Sequence, residues 1–154
     1  VSPDGLTYTF KLRPNVKFHD GSPLTSADIK ASYDRIRNPA QGVVSLRKTE
    51  FSDITAIDTP DPLTVVFHSA APNAALLTSF ANPFNCIYSA RRLAESQTYP
   101  LTNVMGTGPF VPDQYVKGGY WSGKRFDGYF MPGKPYLDSY RIVLVAPEIG
   151  RAHV

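Results

Sequence analysis

Cysteine is almost absent: Cys86 stands alone among 154 residues. A single thiol excludes an internal disulfide and any zinc site made of several thiolates. In the apolar run "PFNCIYS" it reads as a buried, inert thiol rather than a nucleophile. Histidine is scarce as well, with three in the chain. His19 and His68 fall on separate predicted strands and His153 in the last few residues, so no short-spaced ligand pair supports a metal centre. No stretch approaches the roughly 20 apolar residues that span a bilayer, and no charged and apolar leader opens the chain. Sixteen Lys and Arg against thirteen Asp and Glu give a formal charge of +3. These basic residues are scattered, with Arg91-Arg92 the one adjacent arginine pair, whereas a nucleic-acid groove concentrates them on one face. G-x-G-x-x-G, Walker, G-x-S-x-G and H-E-x-x-H sequences are all missing. Nothing here points to an enzyme, a nucleotide cofactor or a metal.

What the chain does hold is turn formers and aromatics: fourteen prolines, eleven glycines, nine phenylalanines and nine tyrosines. That composition describes short strands, tight turns and aromatic packing. Leu6, Tyr8, Phe10 and Leu12 alternate with Thr7, Thr9 and Lys11, a period of two that predicts a half-buried strand. Val16 and Phe18 alternate with Lys17 and His19 in a second short strand, closed by the turn dipeptide Asp20-Gly21.

A helix follows. Thr25 is placed to cap it, with Asp28 three residues on reaching back as in a capping box and complementing the positive helix end. Ile29, Tyr33 and Ile36 then form one apolar stripe, with Asp28, Lys30, Asp34, Arg35 and Arg37 outside it, until Asn38-Pro39 ends the helix. "DITAI" and "LTVVFH" flank Thr59-Pro60-Asp61-Pro62, which predicts a hairpin reversing at those four residues. Short helices are predicted over Ala74 to Phe80 and over "SARRLAES", the latter capped by Ser89. "MGTGPF" leads into a strand through Tyr115 and Val116, Pro132-Gly133 makes a turn, and "RIVLV", Arg141 to Val145, reads as the last strand. Hairpin connections outnumber strand-helix-strand alternation, so the class is α+β.

The chemical candidates each have a structural reading. His19 lies on the polar face of its strand as a surface histidine, and Asp20 starts a turn. Ser2, Ser22, Ser26 and Ser32 are accounted for by turns, a cap and an exposed helix position. Tyr115, Tyr120, Trp121, Phe126, Tyr129, Phe130, Tyr136 and Tyr140 crowd the last third, and aromatics of this kind line clefts as readily as cores.

Four phrases in order resemble one family, the solute-binding proteins of ATP-driven importers of the dipeptide, oligopeptide and nickel type. They are "DGLTYTFKLRPNVKFHDGSPLTSADIKASYDRIRNP", "ITAIDTPDPLTVVFHSAAPNAALLTSFANP", "NVMGTGPFVPDQYVKGG" and "KRFDGYFMPGKPYLDSYRIVLV". Phe126 departs from the family's usual Asn and Phe130 from its frequent Trp, and Ser122-Gly123 interrupts an expected apolar strand. The resemblance implies part of the first lobe of a two-lobed periplasmic-binding-protein-like fold. Residues 1–105 would form most of an additional subdomain and residues 106–147 the start of the return into the main sheet of that lobe. Family proteins are roughly three times this length and close on ligand like a hinged trap. The start on "VSPDGLTYTF" without Met then implies that a signal or lipid anchor, for a periplasmic or cell-surface location, lies outside this piece.

The implied activity is capture of peptides or related small solutes without chemistry or cofactor. The loaded protein, a monomer, would dock on an ABC permease and its ATPase subunits. Candidate cleft contributors are Val44 to Arg47, Phe84 and Asn85. Arg47 either pairs with an anionic group or is a solvated arginine; Asn85 either contacts the solute or ties its own loop. A hydrolase whose catalytic residues lie elsewhere and a sensory module reusing the fold remain alternatives. "EIGRAHV", residues 148–154, resembles the translation of a common sequencing-adapter oligonucleotide, so the natural sequence is expected to end near Pro147.

Overall fold

The computed structural model describes residues 1–145. Its first unit is an antiparallel sheet of β1 (Thr7–Lys11), β2 (Ile54–Asp61) and β3 (Thr64–Ser69), in the order β1-β3-β2. The period of two does what it predicts: Tyr8 is buried and Phe10 partly so, while Thr9 and Lys11 face solvent. Register sets Tyr8 opposite Phe67 and Phe10 opposite Val65. Inward side chains of neighbouring strands therefore meet on one face.

Two features of this sheet differ from the sequence reading. The β2–β3 hairpin reverses at Pro62-Leu63, not across Thr59 to Pro62, with Asp61 Oδ1 accepting from the Leu63 N–H at 2.8 Å. β2 runs on through Pro60 because it is the edge strand, and Pro60 falls where the register slips between Asp58 and Asp61. A missing N–H is tolerated at such a place. The predicted second strand is a single bridge, Lys17 to Pro23, around a left-handed Gly21 at φ 84°. That segment bonds its own return through Phe18 to Ser22 and Leu24 to Val16, and Gly106 through the His19 N–H, which is too little for a ladder. Val16 and Phe18 still point inward and are buried.

Helix α1 (Ser26–Arg37) lies on the sheet through Ile29, Tyr33 and Ile36. With Phe51, Ile54, Ile57, Val65, Phe67 and Leu76 they form the core. Tyr33 meets Phe51, Phe67 and Phe80 edge-on at centroid distances of 5.3, 5.1 and 5.5 Å. Each such ring contributes about 1.5–3 kcal/mol through burial, with pair geometry adding to it. Helices α2 (Leu76–Phe80) and α3 (Ala90–Glu95) close the rim.

The N-terminus of α1 bears out the capping box and corrects one expectation. Asp28 caps the helix from a buried position. Its Oδ2 accepts from the Thr25 N–H at 2.7 Å and from the Thr25 hydroxyl at 2.9 Å, and its Oδ1 accepts from the Ala90 N–H at 2.7 Å. Ser32, expected on an exposed face, is buried one turn further on. Its hydroxyl donates to the Asp28 carbonyl at 2.7 Å and accepts from the Tyr88 N–H at 2.8 Å. Part of the polar side of α1 is polar because the segment leading into α3 docks there, while Lys30 and Asp34 remain in reach of water.

The second unit is the antiparallel sheet β4 (Phe110–Val116), β5 (Tyr120–Arg125) and β6 (Ser139–Val143), ordered as numbered. Ser122-Gly123 does not interrupt β5. A Cβ on Gly123 would stand 2.6 Å from the Tyr140 ring, so glycine makes room for the aromatic across the strand pair. The last strand starts at Ser139, two residues before the predicted Arg141, and ends at Val143. The proposed end near Pro147 and the tail 148–154 lie outside the described residues. Two antiparallel sheets with short helices bear out the α+β class.

Candidate functional site

The sequence candidates occupy two loops of the first unit. Arg47 stands at the entrance of a 3₁₀ turn, Lys48–Phe51, which puts Glu50 three residues on, within its reach. The guanidinium grips the Glu50 carboxylate with two nitrogens, Nε at 2.9 Å and one terminal nitrogen closer still. Its other terminal nitrogen donates to Asn85 Oδ1 at 2.5 Å. Asn85 Nδ2 in turn donates to the carbonyls of Ser79 at 2.7 Å and Phe80 at 3.2 Å. Arg47 and Asn85 are therefore brought together, and the Arg47 side chain is only 16% exposed. Arg47 is not a solvated arginine: it joins the loop after α1 to the loop after α2.

Electrostatics follow from that geometry. The hydrogen bonds from Arg47 hold the Glu50 carboxyl below the usual carboxylate range, and Glu50 raises Arg47 in return. Behind them Tyr33 is pushed up to about 12 by burial, against the smaller opposing pull of Arg47 and Asn85. The guanidinium fork has no uncommitted pair of donors of the sort that grips a free carboxylate. Around the tie, apolar side chains face outward. Val44, Leu46 and Phe84 are 82%, 91% and 80% exposed, and an Asx turn in which Asn82 Oδ1 accepts from the Phe84 N–H holds Phe84 there.

Cys86 is exposed, not buried. Between Asn85 and Ser89 the chain has no regular secondary structure, and Ile87 packs against the core while Cys86 is exposed. An apolar recess of about 210 Å³ lies between the sheet, α1 and Phe80, lined among others by Phe10, Tyr33 and Ile87. It falls below the roughly 300–1,000 Å³ of a pocket that encloses a small ligand, and it is the margin of the core. His68 Nε2 meets Asp58 Oδ2 at 2.9 Å on the open face of the sheet. Among the described residues no three His, Cys, Asp or Glu side chains gather as metal ligands. No helix among them is long and apolar enough to cross a membrane.

His19 is more than a surface histidine. It is half-buried, with Nε2 at 3.1 Å from the Gly108 carbonyl, Nδ1 at 3.3 Å from the Gly106 N–H, and its ring edge-on to Phe126 at 5.1 Å. Sequence reasoning missed this contact, the burial of Asp28 and the Arg47–Glu50 pair. The last had a signal, since Arg and Glu at a spacing of three meet whenever the backbone between them turns helically.

Comparisons with known proteins agree on one family. The model of the bacterial extracellular solute-binding proteins, family 5 Middle, matches residues 1–152. The glutathione-binding protein GsiB of Escherichia coli K12 is 36% identical over 156 residues, covering 99% of this chain and 29% of GsiB. The solved structure of the periplasmic binding protein AgaA of A. tumefaciens R10, in complex with agropinic acid, is 38% identical. It superposes with a TM-score of 0.88 over 98% of this chain and 30% of AgaA. DppA of Helicobacter pylori, in complex with the peptide STSA, is 25% identical with a TM-score of 0.81, over 99% of this chain and 33% of DppA. The chain thus spans about 30% of the length of the relatives it matches. By the match along its length and by the shared fold, it belongs to family 5 of the bacterial extracellular solute-binding proteins.

Proposed function

We propose that the whole protein carrying this chain captures a peptide or related small solute outside the cytoplasm and delivers it to an ABC importer. The observation that carries this reading is the family match over residues 1–152. The relatives' ligands, glutathione, agropinic acid and the peptide STSA, suggest a solute of the same polar, peptide-like class. The loaded protein acts as a monomer, in the periplasm or at the cell surface, and docks on a membrane permease with its ATPase subunits. Capture needs no cofactor and no bond-breaking step: solute favours the closed form by binding it better than the open one. In this reading residues 1–105 supply most of an additional subdomain of the first lobe, and residues 106–147 return toward its main sheet.

Phe84, Arg47 and Asn85 form the lip that this piece contributes to the cleft. The geometry supports different roles for them. Phe84 is the side chain free to touch solute, while Arg47 and Asn85 hold the loops that present it. The test is thermal unfolding of the whole protein against a panel of glutathione, short peptides and opine-type acids. A ligand that binds only the folded state raises the midpoint, with a stabilisation that grows as the logarithm of its concentration above Kd. Stabilisation by one member, with the solute recovered unchanged, is the expected result. Turnover of the bound compound, or no stabilisation by any of these classes, would overturn the proposal.

A further inference from the structure

The two sheets meet through loops. Residues 102–109 run between the second 3₁₀ turn, Tyr99–Leu101, and β4, and His19 of the first unit reaches onto them. The His19 N–H also donates to the Gly106 carbonyl at 2.9 Å, and the Phe126 N–H to the Pro109 carbonyl at 2.9 Å. Arg13 over the Phe130 ring, at 5.1 Å, is a further contact between the units. Set against the interlocked core of the first unit, this is a narrow junction, and one imidazole makes three of its contacts.

The chemistry of those contacts fixes the state of the ring. A carbonyl oxygen only accepts, so Nε2 facing Gly108 must carry a proton; an amide N–H only donates, so Nδ1 facing Gly106 must present a lone pair. Neutral imidazole with its proton on Nε2 satisfies both. A second proton, on Nδ1, would set N–H against N–H and abolish the Gly106 bond. From this geometry we infer that His19 is an acid-released latch between the two sheets, closed only while its imidazole is neutral.

The surrounding charges leave that conclusion standing. Asp20, next in the chain, turns its carboxylate to the Ser22 hydroxyl at 2.5 Å and to Arg91 and Arg92 of α3 at 3.4 and 3.6 Å. The hydrogen bonds from the Ser22 hydroxyl and N–H, then these arginines, hold it below the usual carboxylate range. Arg125 and Asp127, on either side of Phe126, pair with each other at 3.0 Å. Lys17 precedes the ring by two residues and adds like charge to an imidazolium. Among the described residues no carboxylate hydrogen-bonds the ring, so a charged imidazole finds no partner to replace the lost amide. The first unit carries the Arg47–Asn85 tie, so the latch would also set where that lip stands. This last consequence rests on the solute-binding reading; the latch itself does not.

Two measurements test it without solute. Nitrogen NMR of the His19 ring in the whole protein should show an unprotonated Nδ1 and a protonated Nε2 at about pH 8, a range in which imidazole is ordinarily neutral. Hydrogen exchange of the Gly106 amide, corrected for intrinsic rate, should accelerate about tenfold or more between about pH 8 and pH 5, while the Phe67 amide in the first sheet stays protected. In His19→Phe, which keeps a ring against Phe126, Gly106 should exchange fast at both pH values. A proton on Nδ1 at pH 8, or Gly106 protection that does not change with pH, would overturn the latch. Should His19→Phe fail to fold, the two wild-type measurements decide the matter.

Discussion

Arg47 donates to the side-chain carbonyl of Asn85 at 2.5 Å across 38 residues of sequence, and the same guanidinium clamps Glu50. That bond ties the loop after α1 to the loop after α2. Arg47→Ala removes it and leaves Asn85 Oδ1 without its donor, so a loss of about 1–3 kcal/mol is expected from hydrogen bonds to a charged group. Phe84→Ala, on the exposed apex of the same lip, should change stability by no more than about 0.5 kcal/mol and lower solute affinity in the whole protein. Chemical denaturation and titration calorimetry separate the two. If Arg47→Ala were neutral for stability but abolished binding, the arginine would be a solute ligand and not a tie.

The buried carboxylate of Asp28 organises the junction of α1 with α3. It accepts from two donors on Thr25 and from the Ala90 amide, and truncation would leave these part-buried donors without their acceptor. Asp28→Ala should cost about 2–4 kcal/mol and Ser32→Ala about 1–2 kcal/mol, on the scale of unsatisfied buried polar groups. Because both side chains hold the same segment leading into α3, Ser32 through the Tyr88 N–H and Asp28 through the Ala90 N–H, the double variant should lose less than the sum of the single losses. Strict additivity in the denaturation midpoints would show that the two sites act independently.

Local signals in the sequence located most elements and missed most of the contacts between them. The alternation from Leu6 to Leu12 and the Ile29, Tyr33, Ile36 stripe report which side of an element is buried, and both hold. Ser32 defeats the same logic, because polarity signals an aqueous face only when no backbone donors approach it, and the Tyr88 N–H does. His19 failed for a related reason: its partners are backbone groups of glycines some 87 to 89 residues away, and glycine leaves no side-chain pattern to read. The candidate residues Arg47 and Asn85 came from family resemblance. Their bond to each other is a product of tertiary packing, since neither loop has a period that fixes its path.

Gly123 exists to accommodate Tyr140. A Cβ there would stand 2.6 Å from the ring, and the ring is itself held edge-on to Phe110 at 5.0 Å. Gly123→Ala forces the tyrosine off its rotamer or parts β5 from β6, so a loss of about 1–3 kcal/mol is expected for an overpacked contact. Adding Tyr140→Ala should recover part of that loss, because the second change empties the space the first one fills. Failure of any such rescue in thermal unfolding would mean that Gly123 is needed for its backbone alone.

Tyr33 gives the core an alkaline limit. Burial raises its hydroxyl from 10.0 to about 12, so between those values the unfolded chain gives up the proton before the folded one does. The folded state then holds more protons than the unfolded state, and stability falls as pH rises. Below about pH 10 the phenol is neutral in both states and contributes no pH dependence. Above it the loss grows toward about 2–3 kcal/mol as pH approaches the folded value, each pKa unit being worth about 1.4 kcal/mol. Tyr33→Phe keeps the ring against Phe51, Phe67 and Phe80 but has no proton to lose. The expected outcome is therefore a pair of curves, unfolding free energy against pH, that run parallel to about pH 9.5 and then separate as the wild type weakens faster. The other tyrosines titrate in both proteins and cancel in the difference. Curves that stay parallel to pH 12 would place the Tyr33 hydroxyl in contact with solvent, contrary to its burial beneath the Arg47–Asn85 tie.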